Sequence, residues 1–265
     1  MVQLMEYHII SGCVVETRRS LLSASRKKKR RGTRRAGASS EKKIKANEDA
    51  EVLRLARVLN TNFMENGGYH AVLKYSDERR PATYEETRKD GEKAMRKLRE
   101  LCNKKGIKLK RILVTGNWST KRDCKTDKWH HHVILCAEAL PLLLQIWPQR
   151  EITIYSIKKQ DLTGLAWYLY KNVRQPEDGS TKYKVWSSSK GLDKPIYTEP
   201  IPVSELVGIE PIPGAIITCQ TPTYDPDHEQ IVGSYRRCYL PERPKVRGGM
   251  IILPKAKKRG GRKRE

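Results

Sequence analysis

The chain has 265 residues, with 54 Lys or Arg against 30 Asp or Glu, a formal charge of +24. Hydrophobic residues make up 37% and the mean hydropathy is −0.70. Even so, Leu/Ile/Val-rich segments and five Trp are spread through the middle, which excludes a wholly disordered chain. The longest apolar run, residues 137–147, is broken by Glu138, Pro141 and Gln145, short of the ~20 residues of a membrane span.

The length suits one domain with arms or two small domains. No secretory leader is expected, because the first residues lack the charged-then-apolar order of one. Six cysteines (Cys13, Cys102, Cys124, Cys136, Cys219, Cys238) form no CxxC pair. They read as reduced thiols of a cytosolic protein, with no zinc site among them. A pI near 9.9 with clustered basic residues is the footprint of a polyanion binder.

In chain order, residues 7–17 alternate weakly and predict a short strand or hairpin arm. Arg26, Lys27, Lys28, Lys29, Arg30, Arg31, Arg34 and Arg35 then form a basic arm with nothing to bury. It is expected to stay disordered until it meets phosphate. The competing reading, a solvated tail that only aids solubility, suits a chain already at +24 less well. Val52, Leu55, Ala56 and Leu59 form one apolar stripe and predict a helix over 47–62, ended by Asn66-Gly67-Gly68. A strand is predicted over 70–75. Pro81 opens a second helix over 83–103, with Ala94, Leu98 and Leu101 inward and Gly106 as a stop.

Strands follow over 109–115 and 129–136, separated by a polar, loop-like stretch at 117–128. A short helix over 137–147, a strand over 151–157, a helix over 161–173 and a last strand over 183–186 complete the pattern. The alternation predicts an α+β fold: one antiparallel sheet of about five strands with helices packed on it. From Pro200 onward Pro, Gly and Asp break the pattern, and an irregular extension with a second basic run at 255–264 is expected. The organisation is thus a strand and basic arm (1–45), a central domain (46–198) and a C-terminal extension (199–265).

Two constellations carry chemistry. His130, His131 and His132 open an apolar strand, and three of the six histidines of the chain stand there. Strand alternation sends His130 and His132 to one face and His131 to the other. Imidazoles ~7 Å apart along a strand chelate one divalent ion if their rings converge. Three ordinary half-exposed histidines are the competing reading. The second constellation is residues 165–171, where Tyr168 and Lys171 are three apart on one helical face and Tyr170 points elsewhere, into packing. A tyrosine beside a lysine and facing a two-histidine metal site is a phosphoryl-transfer arrangement, the phenol being a competent covalent nucleophile.

On these residues the chain resembles the HUH endonucleases, specifically the rolling-circle replication initiators of bacterial phages and plasmids. The first motif is His130-His131-His132-Val133-Ile134-Leu135, with histidine in place of the usual central hydrophobic residue. The second is Tyr168-Leu169-Tyr170-Lys171. A phage-type branch is also suggested by Tyr7-His8-Ile9-Ile10-Ser11-Gly12 and by residues 186–195, so the likeness runs over about residues 6–198.

The resemblance implies a βαββαβ core of the HUH and RRM type and a strand-specific DNA nickase. His130 and His132 would hold Mg²⁺ or Mn²⁺. Tyr168 would attack single-stranded origin DNA, become joined to the 5′-phosphate and leave a 3′-OH, with Lys171 near the scissile phosphate. One nucleophile per site is implied, position 172 being Asn. Host polymerase and helicase in a bacterial cytoplasm are the implied partners and setting, and no membrane is involved. The family's third, acidic metal ligand is expected at Gly116, and Asn117, Asp123 and Asp127 are the nearby oxygen donors. The alternative is a degenerate initiator that binds DNA without cutting it. An RNA-binding sheet fits less well, because Phe63 is the only Phe and the strands show no exposed aromatic pair.

Overall fold

A computed structural model of the chain describes residues 2–23, 41–119, 124–147, 152–173, 183–224, 231–247 and 250–252. The basic runs at 26–35 and 255–264 lie outside the described residues. The elements run β1 (Val2–Ser11), β2 (Val14–Ser23), α1 (Glu41–Phe63), β3 (Gly68–Lys74), α2 (Tyr84–Lys104), β4 (Arg111–Ser119) and β5 (Cys124–Cys136). After these come α3 (Leu140–Ile146), β6 (Ile152–Ser156), α4 (Thr163–Lys171) and β7 (Ser187–Ser188). The C-terminal strands are β8 (Ile196–Tyr197), β9 (Ile201–Pro202), β10 (Ile216–Tyr224), β11 (Ile231–Tyr239), β12 (Lys245–Arg247) and β13 (Met250–Ile252). Among the described residues no helix is long and apolar enough to cross a membrane.

The fold is α+β, as the alternation predicts, and the chain divides into two units: Met1–Glu48 with Pro195–Glu265, and Asp49–Lys194. In the first unit β1 and β2 form a ten-pair antiparallel hairpin across Gly12, whose φ of 60° is the left-handed conformation a tight turn requires. β11 and then β10 extend it beyond β2, and β8 and β9 pair with β1. Ile10, Val15 and Leu240 are buried together against Ile212, Ala215, Val246 and Ile251. The region after Pro200, expected to be irregular, therefore carries strands. β9 and β11 find partners about 200 residues away in the N-terminal hairpin, where no local pattern announces them.

The second unit is built on a five-stranded antiparallel sheet in the order β6-β3-β5-β4-β7, with β5 at its centre. Its elements follow local chemistry. Thr83 and Glu86 form a reciprocal capping box at the start of α2. Pro141 sits in the first turn of α3, where its missing N–H is not needed. One face of the sheet (Ala71, Leu73, Val133, Leu135, Leu113) packs with Met95, Leu98 and Cys102 of α2 and Leu142 and Leu143 of α3. Each leucine fully buried there contributes up to about 1.5–3 kcal/mol. On the other face lie α1, with the Phe63 ring against Gly68, and α4, whose C-terminal turn meets Gly116.

Two expectations shift. Within 117–128, read as a loop, residues 117–119 and 124–128 instead prolong β4 and β5 through the Trp118–Lys125 and Ser119–Cys124 pairs, past an irregularity at Gly116/Trp118, and 120–123 lie outside the described residues. The strand expected at 183–186 lies later, at β7. Tyr183 stacks on Tyr84 and Trp186 donates to Glu51 while Arg54 covers its ring, so these side chains anchor the segment without a ladder.

Candidate active site

β3 and β4 hold β5 from both sides, so the faces of its three histidines are fixed by seven pairs with β3, from Gly68–Cys136 to Lys74–His130. His131 faces α2 and is fully buried. Tyr75 Oη lies 2.8 Å from its Nε2 and Thr115 Oγ1 lies 2.9 Å from its Nδ1, so both ring nitrogens are satisfied. Burial, then the neighbouring His130, lowers its pKa to about 3 and keeps it neutral. Gly91 of α2 makes the room: a Cβ there would meet His131 Cε1 at 2.6 Å. The central histidine is thus a core residue with its own polar niche.

On the opposite face the Nε2 atoms of His130 and His132 lie 3.1 Å apart. Two nitrogens at that separation, each ~2.1 Å from a common ion, would subtend about 95°, the cis angle of an octahedral ion. His130 Nδ1 is 3.0 Å from the Lys128 carbonyl and donates to it, which leaves the Nε2 lone pair free for a ligand. His132 Nδ1 is 2.9 Å from His70 Nε2. A metal on His132 Nε2 needs the proton on Nδ1, and His70 stands where it accepts that proton's hydrogen bond. Burial first, then nearby histidines, lowers the pKa of His70 to about 4 and that of His132 well below its ordinary value. Burial lowers His130 as well. Neutral imidazoles are the form that binds metal.

Asn172, one residue past α4, completes the cluster. Its Nδ2 donates to the Tyr168 carbonyl at 2.7 Å, and its side chain lies within hydrogen-bond reach of both His130 and His132, which brings an amide oxygen beside the two rings. Position 116, where the resemblance would place an acidic ligand and the chain has Gly, leaves no room for a side chain. A Cβ on Gly116 would lie 2.7 Å from the Asn172 carbonyl carbon and closer still to its oxygen. The space belongs to Asn172, and the oxygen donor comes from α4 rather than from β4.

Tyr168 stands edge-on over the imidazoles, its ring centroid 5.3 Å from His132 and 6.0 Å from His70. Tyr170 turns away to Trp167, 6.3 Å between centroids. His130, His132 and Tyr168 are therefore brought together. Lys171 is exposed in the last turn of α4, while Lys74 lies opposite His130 and adds positive charge beside it. Asn117 lines a groove with Trp129 and Tyr84, and the side chains of Asp123 and Asp127 lie outside the described residues.

Among the described residues no three His, Cys, Asp or Glu side chains gather to hold a metal. The donors among the described residues are two imidazoles and one amide oxygen, an uncharged set that suits Mn²⁺ or a softer ion better than Mg²⁺. Sequence reasoning missed Asn172 and His70. Asn172 was within reach of the i, i+4 rule from Tyr168. His70 enters only through the pairing register of β3 with β5, which has no local signal. Comparison with known protein families, with curated proteins and with solved structures finds no match.

Proposed function

We propose that the chain is a metal-dependent endonuclease that nicks and rejoins single-stranded DNA through a covalent 5′-phosphotyrosine at Tyr168, and so initiates rolling-circle replication. The observation that carries this reading is the convergence of two imidazole Nε2 atoms 3.1 Å apart, an amide oxygen and an edge-on phenol on one face of a central strand. The charge of +24 supports a polyanionic substrate.

His130, His132 and Asn172 would hold the ion. Bound there, a divalent ion would polarise the scissile phosphodiester and offset the charge that develops on it. Tyr168 Oη attacks phosphorus, forming the P–O(Tyr) bond as the P–O3′ bond breaks. The phenol loses a proton and O3′ gains one, so the step is balanced without a co-reactant. Attack by a 3′-OH on the phosphotyrosine reverses it and reseals the strand. Lys171, three residues along α4 from Tyr168, supplies a mobile cation for the phosphate. The freed 3′-OH is a primer for a host polymerase, with a helicase to open the duplex, in a bacterial cytoplasm.

The test uses a 3′-labelled, random-sequence single-stranded oligonucleotide pool with Mn²⁺ or Mg²⁺. An SDS-resistant adduct is expected, abolished in Tyr168→Phe while DNA binding stays within a few-fold. An unchanged adduct in that variant means the nucleophile is another residue. That no carboxylate stands with the two imidazoles among the described residues favours a second reading, a DNA binder that does not cut. Binding without cleavage in any divalent ion would select it.

A further inference from the structure

On the α2 face of the sheet, at the same end as the imidazole pair, lies a groove of about 690 Å³, a size typical of sites for small ligands (~300–1,000 Å³). Trp129 immediately precedes His130 on β5 and Asn117 immediately follows Gly116 on β4, and both line it. β3 leaves the ladder after the Lys74–His130 pair, one residue short of Trp129, and the segment that follows it lines the groove with Trp129.

Two properties define what the groove accepts. The first is aromatic. Tyr84 and Tyr183 are stacked, centroids 3.9 Å apart and planes 16° from parallel, and Trp129 lies tilted against Tyr84 at 5.8 Å and edge-on to Tyr183 at 6.4 Å. The buried Tyr84 is pinned by its hydroxyl, which donates to the Lys184 carbonyl at 3.2 Å. The second property is charge. In a chain of +24 this groove is lined by the carboxylates of Glu85 and Asp77, and its cation, Arg80, is ion-paired with Asp77. Such a lining repels phosphate. It accepts a flat ring bearing N–H donors, as carboxylates accept from the amino group of cytosine.

Resting on the single-strand reading above, we infer that the groove takes one unpaired nucleobase with an exocyclic amino group, cytosine or adenine, from the strand held at the imidazole pair. Tyr183, half-buried, stacks the base, and Glu85 reads its amino group.

The experiment measures binding of the full chain, in EDTA, to end-labelled 12-mers of dC, dA and dT and to an abasic 12-mer. Wild type is expected to bind dC or dA at least about tenfold more tightly than dT, the scale of one good base contact. Glu85→Gln should bring that ratio to within about twofold. Tyr183→Ala should weaken the base-bearing oligomers about 5–100-fold and leave the abasic one unchanged, since stacking adds ~1–3 kcal/mol per base. A wild type indifferent to base, a Glu85→Gln ratio equal to wild type, or equal weakening of abasic and dC oligomers by Tyr183→Ala would each overturn the inference. If Tyr183→Ala does not fold, the exposed Glu85→Gln substitution carries the test. The readout needs no cleavage. Base discrimination without a Tyr168 adduct removes the nicking reading alone, and an adduct without discrimination removes the groove alone.

Discussion

Gly116→Ala tests the close approach that shapes the site. The added Cβ would lie 2.7 Å from the Asn172 carbonyl carbon, and the obstacle is the backbone at the end of α4, not the tip of a flexible side chain. Overpacking of this kind costs typically ~1–3 kcal/mol, and a backbone obstacle puts the cost near the top of that range. The loss of chain entropy in the unfolded state offsets ~0.4–1 kcal/mol, leaving a net loss of about 2 kcal/mol. At ~2–4 °C per kcal/mol for a protein of this size, the melting temperature should fall by about 4–8 °C in EDTA. The shift of α4 should also carry Asn172 off the imidazoles and weaken Mn²⁺ binding by about tenfold or more, measured by titration calorimetry. Gly164→Ala is the control. It lies on the same helix with nothing within 4 Å of its Cβ position, and alanine there should gain up to ~1 kcal/mol. Wild-type melting and metal affinity in Gly116→Ala, or an equal loss in Gly164→Ala, would refute the reasoning.

Three further outcomes follow from the same geometry. Asn172→Asp should raise affinity for Mg²⁺ relative to Mn²⁺ by adding a charged oxygen, while melting lower without metal by ~1–3 kcal/mol because the bond to the Tyr168 carbonyl is lost; an unchanged ion preference would show that this side chain does not face the ion. His70→Leu removes the acceptor for His132 Nδ1–H and should weaken Mn²⁺ binding ~10–100-fold, with His70→Gln recovering part of it. Equal loss in both variants would reduce His70 to packing. Acid should destabilise the metal-free protein: His70 and His131 titrate at about 4 and about 3 when folded, against 6.5 unfolded. Below pH 6.5 the unfolded chain therefore takes up protons that the folded one refuses. By pH 5 the two groups remove about 4 kcal/mol at ~1.4 kcal/mol per proton and pH unit. A denaturant midpoint that is flat between pH 7 and 5 would contradict their burial as neutral rings.

Where an element is specified by its own residues, the sequence announces it. The stripe of Val52, Leu55, Ala56 and Leu59 is buried in α1, the capping box starts α2 at Thr83, and Pro141 falls in the first turn of α3. α1 begins at Glu41, earlier than the stripe, because its first two turns are polar and carry no periodic signal. Strands whose partners are remote stayed hidden, β11 above all, since its pairing with β2 of the N-terminal hairpin is a long-range fact. The site divides in the same way. His130, His132 and Tyr168 stand out by residue type and spacing. His70 required the register of β3, and the role of Gly116 required knowing how near α4 comes to β4.

Three identical residues in a row leave β5 open to an error that most strands cannot make quietly. Sliding it by one position exchanges its two sides, and would send one imidazole toward the phenol and two toward α2. The hollow behind the sheet has a single vacancy, cut by Gly91 and furnished with one pair of hydroxyls, from Tyr75 and Thr115. It admits one ring and has no provision for a second. His131 therefore acts as a key for strand alignment: the one histidine of the three that faces α2 guards the placement of the other two.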